Sequence, residues 1–379
     1  MKIGGFLQRW NKPMNLENDC LKFLLKIVST KSLSGQEKAV SKIVADEMKS
    51  LNYDFVKTDK YGNVIGKIGN GKKKILYDAH IDTVGISDIK KWKTNPYKAA
   101  FKNGIIYGRG ACDDKGCVAA MVYAGSLIKK HGLFNDFTLF VSASSREETG
   151  EPYWLDFIIK KLNFKPDCVV IGEPSDMKII RGHKGRSEMK VTVFGKSVHA
   201  SIPNEGDNAI YKATDYIKKI DNLNNKYKSK NLGKPVISVT QIETKNASTN
   251  TIPDNCSFYI DRRSIENETA KKISDEIKNI CKKDSIINYQ KFFKAWVLPQ
   301  NHNLVNSSIN AYKSSFKKQP IVTLWPFCTN GSFTMGEKNI PTIGFGPGSE
   351  KYAHIANEQI KFTDVLNAIK FYSVFPSLY

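Results

Sequence analysis

The hydrophobic positions of this chain follow helical spacing near its start and strand-like runs further on. Two amphipathic helices are predicted before the first strand, one on each side of a break at residues 32–35. A helix rich in small residues is predicted over 115–130. Four apolar runs have the length of buried strands, at 74–79, 137–143, 168–171 and 342–345. The alternation of strand, helix and strand predicts an α/β fold with a mostly parallel sheet.

A different order of elements occupies residues 186–294. Its pattern predicts strand, helix, two strands, helix and strand, which is the ferredoxin-like order. None of the candidate metal ligands described below falls in this segment, so we interpret it as an inserted α+β domain. The larger domain would then consist of residues 1–185 and 295–379. We interpret the first dozen residues as a frayed N-terminal arm.

The composition is that of a globular protein, with 379 residues, 41% of them hydrophobic and 25% charged. No apolar run approaches the roughly 18 residues that span a bilayer, and the first ten residues lack the apolar stretch of a secretory signal. These features predict a cytoplasmic protein that has no membrane partner. The seven cysteines are odd in number and widely spaced, which argues against a disulfide framework.

The net charge of +21 raises the question of nucleic-acid binding. The excess is mostly lysine and is spread along the whole chain rather than clustered. A solvated, lysine-rich surface is therefore the favoured interpretation, and no nucleic-acid partner is predicted. The same charge would attract acidic substrates.

Side chains that bind metal ions follow the predicted strands. These residues are His80, Glu148, Glu173 and His354. Because the carboxyl ends of strands line one crevice in open α/β sheets, we expect the four side chains to converge. Asp113 lies in a glycine-rich turn at 108–116, where one carboxylate could bridge two cations.

Two further carboxylates have places that suit catalysis. Asp82 points the same way as His80 along a strand and can orient its ring. Glu147 and Glu148 are adjacent and face opposite sides, which suits one free base and one ligand. Taken singly, each residue also fits a structural role such as a solvated acidic turn or a strand cap.

Jointly, these motifs resemble the co-catalytic zinc amidohydrolases and peptidases. That family includes acetylornithine deacetylase, succinyl-diaminopimelate desuccinylase, aminoacylase and glutamate carboxypeptidase. The resemblance extends from residue 15 to the C-terminus, and its motifs are at 78–84, 108–113, 147–148, 172–174 and His354. Stretches such as 181–186 and 344–348 are similar to the selenium-metabolism-linked hydrolases of the family. The resemblance implies a zinc-hydrolase catalytic domain with an inserted domain that acts as lid and dimer interface.

The resemblance also implies two zinc ions, for which cobalt or manganese could substitute. Asp113 would bridge the two ions. His80 and Glu173 would hold one ion, and Glu148 and His354 the other.

Further roles follow from the same resemblance. Glu147 would be the general base, and Asp82 would orient the first histidine ligand. His199 would cross the interface of a homodimer to support the oxyanion formed in the partner's site. Asn250 and Arg262 would hold the carboxylate of the substrate, a task suited to the fork of arginine.

The function expected from these residues is hydrolysis of the amide bond of a small N-acyl amino acid or related metabolite. A dipeptidase, aminopeptidase or carboxypeptidase with the same metal site is the alternative. A catalytically silent binding protein would have damaged ligands or no base, and neither is visible. Asn330 stands at a turn where many deacetylases of the family carry an acidic residue, which leaves the substrate open.

Overall fold

The protein forms two compact units. A computed structural model describes residues 14–133, 136–225, 228–246 and 248–379. The first unit contains the described residues up to Gly182, together with Leu298–Thr323 and Thr329–Tyr379. The second contains His183–Val297 and Leu324–Cys328. The predicted N-terminal arm lies outside the described residues.

The α-helices are α1 (Met14–Val28), α2 (Lys38–Ser50), α3 (Lys115–Lys130), α4 (Tyr153–Asp156), α5 (Ala209–Asp221), α6 (Ala270–Cys281), α7 (Asn303–Phe316) and α8 (Phe362–Val374). The strands are β1 (Phe55–Thr58), β2 (Val64–Ile68), β3 (Lys73–His80), β4 (Ala100–Lys102), β5 (Ile105–Tyr107), β6 (Phe137–Ser144), β7 (Cys168–Ile171), β8 (Ile179–His183), β9 (Arg186–Phe194), β10 (Val236–Glu243), β11 (Asn255–Arg263), β12 (Ser285–Phe293), β13 (Trp296–Val297), β14 (Val322–Trp325), β15 (Thr342–Gly344) and β16 (Gln359–Lys361). Of the helices described, none combines the length and the apolar character that a membrane-spanning segment needs.

The main sheet of the first unit has the strand order β1-β2-β6-β3-β7-β15-β8. Its four central strands, β6, β3, β7 and β15, are parallel to one another, and the strands outside them pair antiparallel. Every residue of β6 and β7 is buried, as expected for parallel strands that are covered on both faces. Helix α3 packs against β3, β6 and α8. The predicted α/β class with a mostly parallel sheet is confirmed.

The four predicted strands are present as β3, β6, β7 and β15. Their bounds differ from the predicted ones by one residue at most, and β3 ends on His80 itself. Since these strands are parallel, the residues at their carboxyl ends lie at the same edge of the sheet. The fold therefore collects the candidate ligands at one edge.

A small sheet that the sequence pattern did not predict has the order β16-β5-β4. Its strands are only three residues long, too short for a recognisable alternation of polar and apolar positions. Residues 359–361 pair there with 105–107 in antiparallel register. This pairing places the chain after His354 beside the chain that enters the glycine-rich turn.

The second unit contains a four-stranded antiparallel sheet of order β10-β11-β9-β12. Buried and partly buried positions alternate along β9, because only one face of the sheet packs against α5 and α6. The elements occur in the predicted order. The second helix of this segment begins at Ala270, where the Thr269 side chain caps it by accepting a hydrogen bond from the Lys272 amide. Leu324–Cys328 also belongs to this unit, although it lies outside the predicted 186–294.

The core of the second unit gives a first prediction. Phe258 on the central strand β11 is fully buried, whereas Ile286 on the edge strand β12 is 52% exposed. We expect Phe258→Ala to lower the free energy of unfolding by about 3–5 kcal/mol, because it removes a packed ring and leaves a cavity. The matched variant Ile286→Ala should change it by less than about 0.5 kcal/mol. Urea denaturation measures both, and equal losses would contradict the assigned core.

Candidate metal centre

Asp113 lies between two imidazoles, one on each of its carboxylate oxygens. His80, at the end of β3, has Nε2 3.0 Å from Asp113 Oδ1. His354 has Nε2 3.1 Å from Asp113 Oδ2. One carboxylate thus contacts the two candidate histidines from opposite sides, which is the arrangement of a bridging ligand.

The two remaining predicted ligands flank this contact. Glu148 Oε1 lies 2.9 Å from His354 Nε2, and Glu173 Oε1 lies 3.9 Å from His80 Nε2. Glu148 belongs to the turn after β6, and Glu173 follows β7 by two residues. The structure therefore brings all five predicted ligands together, with one histidine and one glutamate on each side of Asp113.

The backbone at His354 is in the left-handed region, with φ of +60°. A non-glycine residue pays a conformational cost there, and such residues concentrate at functional sites. Its side chain is about half exposed, whereas His80 and Glu173 are buried. The candidate centre is thus open on the side of His354.

Asp114 is a candidate ligand that the sequence reasoning did not identify. Ligand atoms of His80, Asp114 and Glu173 all lie within 4.8 Å of one another, as do those of His80, Asp113 and Glu148. Asp114 is fully buried, and its Oδ2 accepts a hydrogen bond of 3.1 Å from the His80 amide. The only signal for it was its position directly after Asp113.

Asp82 supports the site in two ways. Its main-chain carbonyl oxygen lies 2.9 Å from His80 Nδ1, and its carboxylate lies 3.5 Å from the same nitrogen. The carboxylate also accepts hydrogen bonds from the Glu147 and Glu148 amides, at 3.0 and 3.2 Å. Ser34 donates a further bond of 2.6 Å to Asp82 Oδ2. Asp82 thus connects the histidine on β3 to the turn that carries the two glutamates.

The electrostatics of the site are those of crowded buried carboxylates. Burial opposes ionisation of Asp113, yet hydrogen bonds from His354 and His80 hold the pKa of its carboxyl well below the usual range. The same bonds to Asp113 and Glu148 raise the pKa of His354 to about 10. Burial, together with Asp114 and Asp113, raises the pKa of Glu173 well above its usual range. Two imidazoles therefore balance only part of the negative charge.

The residues fit a divalent cation. The donors are carboxylate oxygens and imidazole nitrogens, a set that zinc, cobalt and manganese accept. Asp114 Oδ1 is buried and has no hydrogen-bond partner within the described part of the chain. A cation would supply the positive charge that Glu173 and Asp114 lack.

The turn that carries Asp113 depends on glycine at two positions. Gly110 has φ of +84°, and a Cβ there would lie 2.7 Å from Thr83 Cγ2. A Cβ on Gly116 would lie 2.8 Å from the Ala111 carbonyl oxygen. The close turn predicted from these glycines is present, and Glu358, which the sequence reasoning missed, contacts its backbone.

Two predicted substrate-side residues lie side by side in the second unit. Asn250 Nδ2 is 3.5 Å from His199 Nε2, and both side chains are exposed. A main-chain bond from the Ala200 amide to the Asn250 carbonyl, 2.8 Å long, holds the two segments together. Their predicted contact with substrate stays a prediction.

The contacts of Arg262 argue against its predicted role. Its guanidinium is only 1% exposed and forms ion pairs with Glu268 and Glu276 inside the second unit. Since side chains alternate along β11, Arg262 shares the buried face with Ile260, while Arg263 points to the other face. We therefore correct the assignment, because a buried arginine engaged by two glutamates is not presented to a substrate.

Asn330 is the residue that departs from the family pattern at its turn. It is buried in the first unit, where its Nδ2 donates to Asp78 Oδ2 at 2.8 Å and to Ser144 Oγ at 3.2 Å. The departure from an acidic residue at this turn thus alters a buried hydrogen bond behind β3 and β6. It gives no direct information about the substrate.

Together with the comparisons that follow, the acidic and imidazole cluster at the carboxyl edge of the parallel sheet places the chain among the metal-dependent hydrolases. Residues 181–287 match the model of the M20 peptidase dimerisation domain. The chain is 35% identical over 384 residues to the uncharacterized protein YgeY of Escherichia coli (strain K12), covering 96% of this chain and 95% of that protein. It belongs to the M20 family of metallopeptidases and amidohydrolases and is an enzyme.

A further relative and a solved structure are also similar to this chain. Acetylornithine deacetylase of Buchnera aphidicola subsp. Acyrthosiphon pisum (strain 5A) is 29% identical over 324 residues, covering 82% of this chain and 81% of the relative. The crystal structure of an M20 family metallo-carboxypeptidase from Sulfolobus solfataricus has the same fold, with a TM-score of 0.78 and 20% identity. That superposition covers 95% of this chain and 99% of the other.

The corrected place of Arg262 predicts a loss of stability on substitution. Arg262→Met should lower the free energy of unfolding by about 3–5 kcal/mol, because it leaves Glu268 and Glu276 without their buried partner. The neighbouring Arg263 side chain is 31% exposed and pairs with Asp261. Arg263→Met should therefore cost less than about 1 kcal/mol. Denaturant unfolding of the two variants tests the buried structural role of Arg262. Two variants as stable as the parent protein would contradict that role.

Proposed function

We propose that the chain hydrolyses the amide bond of a small N-acyl amino acid at a centre of two metal ions. The observation that carries this proposal is the position of Asp113 between His80 and His354. The similarity to acetylornithine deacetylase supports an acylated amino acid as the substrate class. Zinc is the proposed metal, and cobalt or manganese would be substitutes with the same donors.

The proposed ligand sets follow the pairs seen around Asp113. His80 and Glu173 would hold one ion, His354 and Glu148 would hold the other, and Asp113 would be shared between them. When bound, two such ions polarise the amide carbonyl and lower the pKa of water. Asp82 keeps the His80 ring and the Glu148 turn in place through the bonds described above.

Glu147 is the proposed general base. Burial, with the adjacent negative charge of Glu148, raises the pKa of Glu147 to about 8. Cations bound beside it would favour the ionised form, and the carboxylate could then take the proton of the attacking water and return it to the leaving amine. The hydrogen bond from the Glu147 amide to the Asp82 carboxylate fixes its backbone, so the side chain starts from a defined position.

The substrate-side roles are proposed for residues of the second unit. His199 would stabilise the developing oxyanion, and Asn250 would bind the carboxylate of the substrate. Arg263 replaces Arg262 in this proposal, because its guanidinium is on the accessible face of β11. The match to a dimerisation domain supports a homodimer that forms through this unit.

An exopeptidase is the second candidate, because the same ligands and base would cleave a peptide bond. A matched pair of compounds separates the two, for example an N-acetyl amino acid and the dipeptide in which glycine replaces the acetyl group. We expect faster hydrolysis of the acetylated compound by the zinc-loaded enzyme, and product analysis by mass spectrometry measures both rates. Preference for the dipeptide would favour the exopeptidase. Hydrolysis that persists after the metal is removed with a chelator would refute both candidates.

The proposed base gives a prediction of its own. Glu147→Gln should retain the metal content of the parent protein and lose about 10²- to 10⁴-fold in kcat, because the amide cannot accept the proton of water. Glu151→Gln is the matched control, since the partly buried Glu151 lies in the same turn but pairs with Arg146. Metal analysis and steady-state kinetics on the three proteins test the role. A Glu147→Gln enzyme with normal turnover would reject it.

A further inference from the structure

Glu358 is a buried carboxylate that none of the proposed chemical steps uses. Its Oε1 accepts hydrogen bonds from the amides of Cys112 and Asp113, both 2.9 Å long. Its Oε2 accepts a bond of 2.7 Å from Arg109 Nη1. Two of these three bonds therefore fix the backbone of Asp113 and of the residue before it.

Arg109 holds Glu358 in this orientation. The arginine is only 2% exposed, and its Nη2 donates to the Gly85 carbonyl at 3.1 Å. Its guanidinium lies over the Trp92 ring, 5.3 Å from the ring centre. The positive charge of Arg109 also balances the negative charge of Glu358, so the pair adds no net negative charge to the acidic cluster.

The small sheet explains how Glu358 reaches the turn. Strand β16 begins at the next residue and pairs with β5, which leads into the glycine-rich turn. The Gly108 amide donates to the Glu358 carbonyl at 3.1 Å, which continues this pairing. Because His354 is four residues earlier, one short segment contacts both the Asp113 carboxylate and the Asp113 backbone.

We propose that Glu358, held by Arg109, is a positioning residue that fixes Asp113 relative to His354. It thereby sets the affinity of the centre for the second metal ion, which is the one assigned to His354 and Glu148. This inference rests on the proposed two-metal function. Without the hydrogen bonds from the Cys112 and Asp113 amides to Glu358, the Asp113 turn is less tightly held, and Asp113 Oδ2 is less well aligned with His354. The alignment with His80 is less affected, because the hydrogen bond from the His80 amide to Asp114 ties the turn to β3 independently of Glu358.

The metal affinity of Glu358→Gln tests this proposal. Apo-protein is titrated with Zn²⁺ against a chromophoric chelator, and with Co²⁺ followed by its absorption spectrum. The parent protein should bind two ions, and Glu358→Gln should bind the second one about 10- to 100-fold more weakly. Turnover of the variant should recover as free metal is raised, with KM unchanged. A purely structural role would lower stability and leave both affinities intact.

Two further variants keep the test decisive. Arg109→Lys retains the Glu358 carboxylate and a positive charge, so it should fold and show a smaller loss of second-ion affinity even when Glu358→Gln does not fold. Glu276→Gln is the matched control, because it breaks a buried arginine–glutamate pair in the second unit. It should lower stability and leave metal binding unchanged.

The outcomes separate this inference from the proposed function. A folded Glu358→Gln protein with parental affinity for both ions would overturn the positioning role alone, as would Arg109→Lys with parental affinity when Glu358→Gln is unfolded. An equal loss of metal affinity in Glu276→Gln would also overturn it. A parent protein that binds fewer than two ions would instead refute the two-metal function.

Discussion

The structure of the first unit depends on how one buried carboxylate, Asp113, is compensated. Removing an ionised carboxylate from water is costly unless cations or hydrogen-bond donors replace the lost hydration. Here two imidazoles face its oxygens, and Glu358 accepts hydrogen bonds from two backbone amides of its turn. Other acidic groups surround it, so the site as a whole still requires positive charge. The same requirement that makes the cluster costly without a cation makes it suited to binding divalent cations.

Buried carboxylates in this unit also act as acceptors that hold backbone turns. Asp82 binds the amides of Glu147 and Glu148, and Glu358 binds those of Cys112 and Asp113. Glu37 does the same for Gly35 and Arg146, with bonds of 2.8 and 3.1 Å. A bond from an amide to a charged acceptor is stronger than a neutral one and has a preferred direction. Loops that carry the chemistry thereby gain a rigidity that loops of their length otherwise lack.

Sequence reasoning identified the parts of the site that follow from periodicity. Four apolar runs became four parallel strands, and the ligands at their ends converged because parallel strands share an edge. Arg262 was misassigned because motif similarity outweighed the alternation along β11, where Ile260 and Arg262 share the buried face. Glu358 could not be found in this way, since its partners lie across a sheet of three-residue strands that has no readable period. The buried place of Asn330 could not be predicted for a related reason, because its contact with Asp78 joins positions far apart in the chain.

The small sheet has a consequence for the order in which the site is completed. The ligands up to Glu173 are synthesised before the whole second unit, whereas His354 and Glu358 follow it. A nascent chain that has folded only its early strands therefore displays the acidic cluster without its second histidine or the brace behind Asp113. Domains generally fold in the order of their synthesis, so the cluster around Asp113 is completed late in the biogenesis of this enzyme. A protease that removed the chain from His354 onward would leave the other four candidate ligands in place. The centre would still lose its second histidine and Glu358.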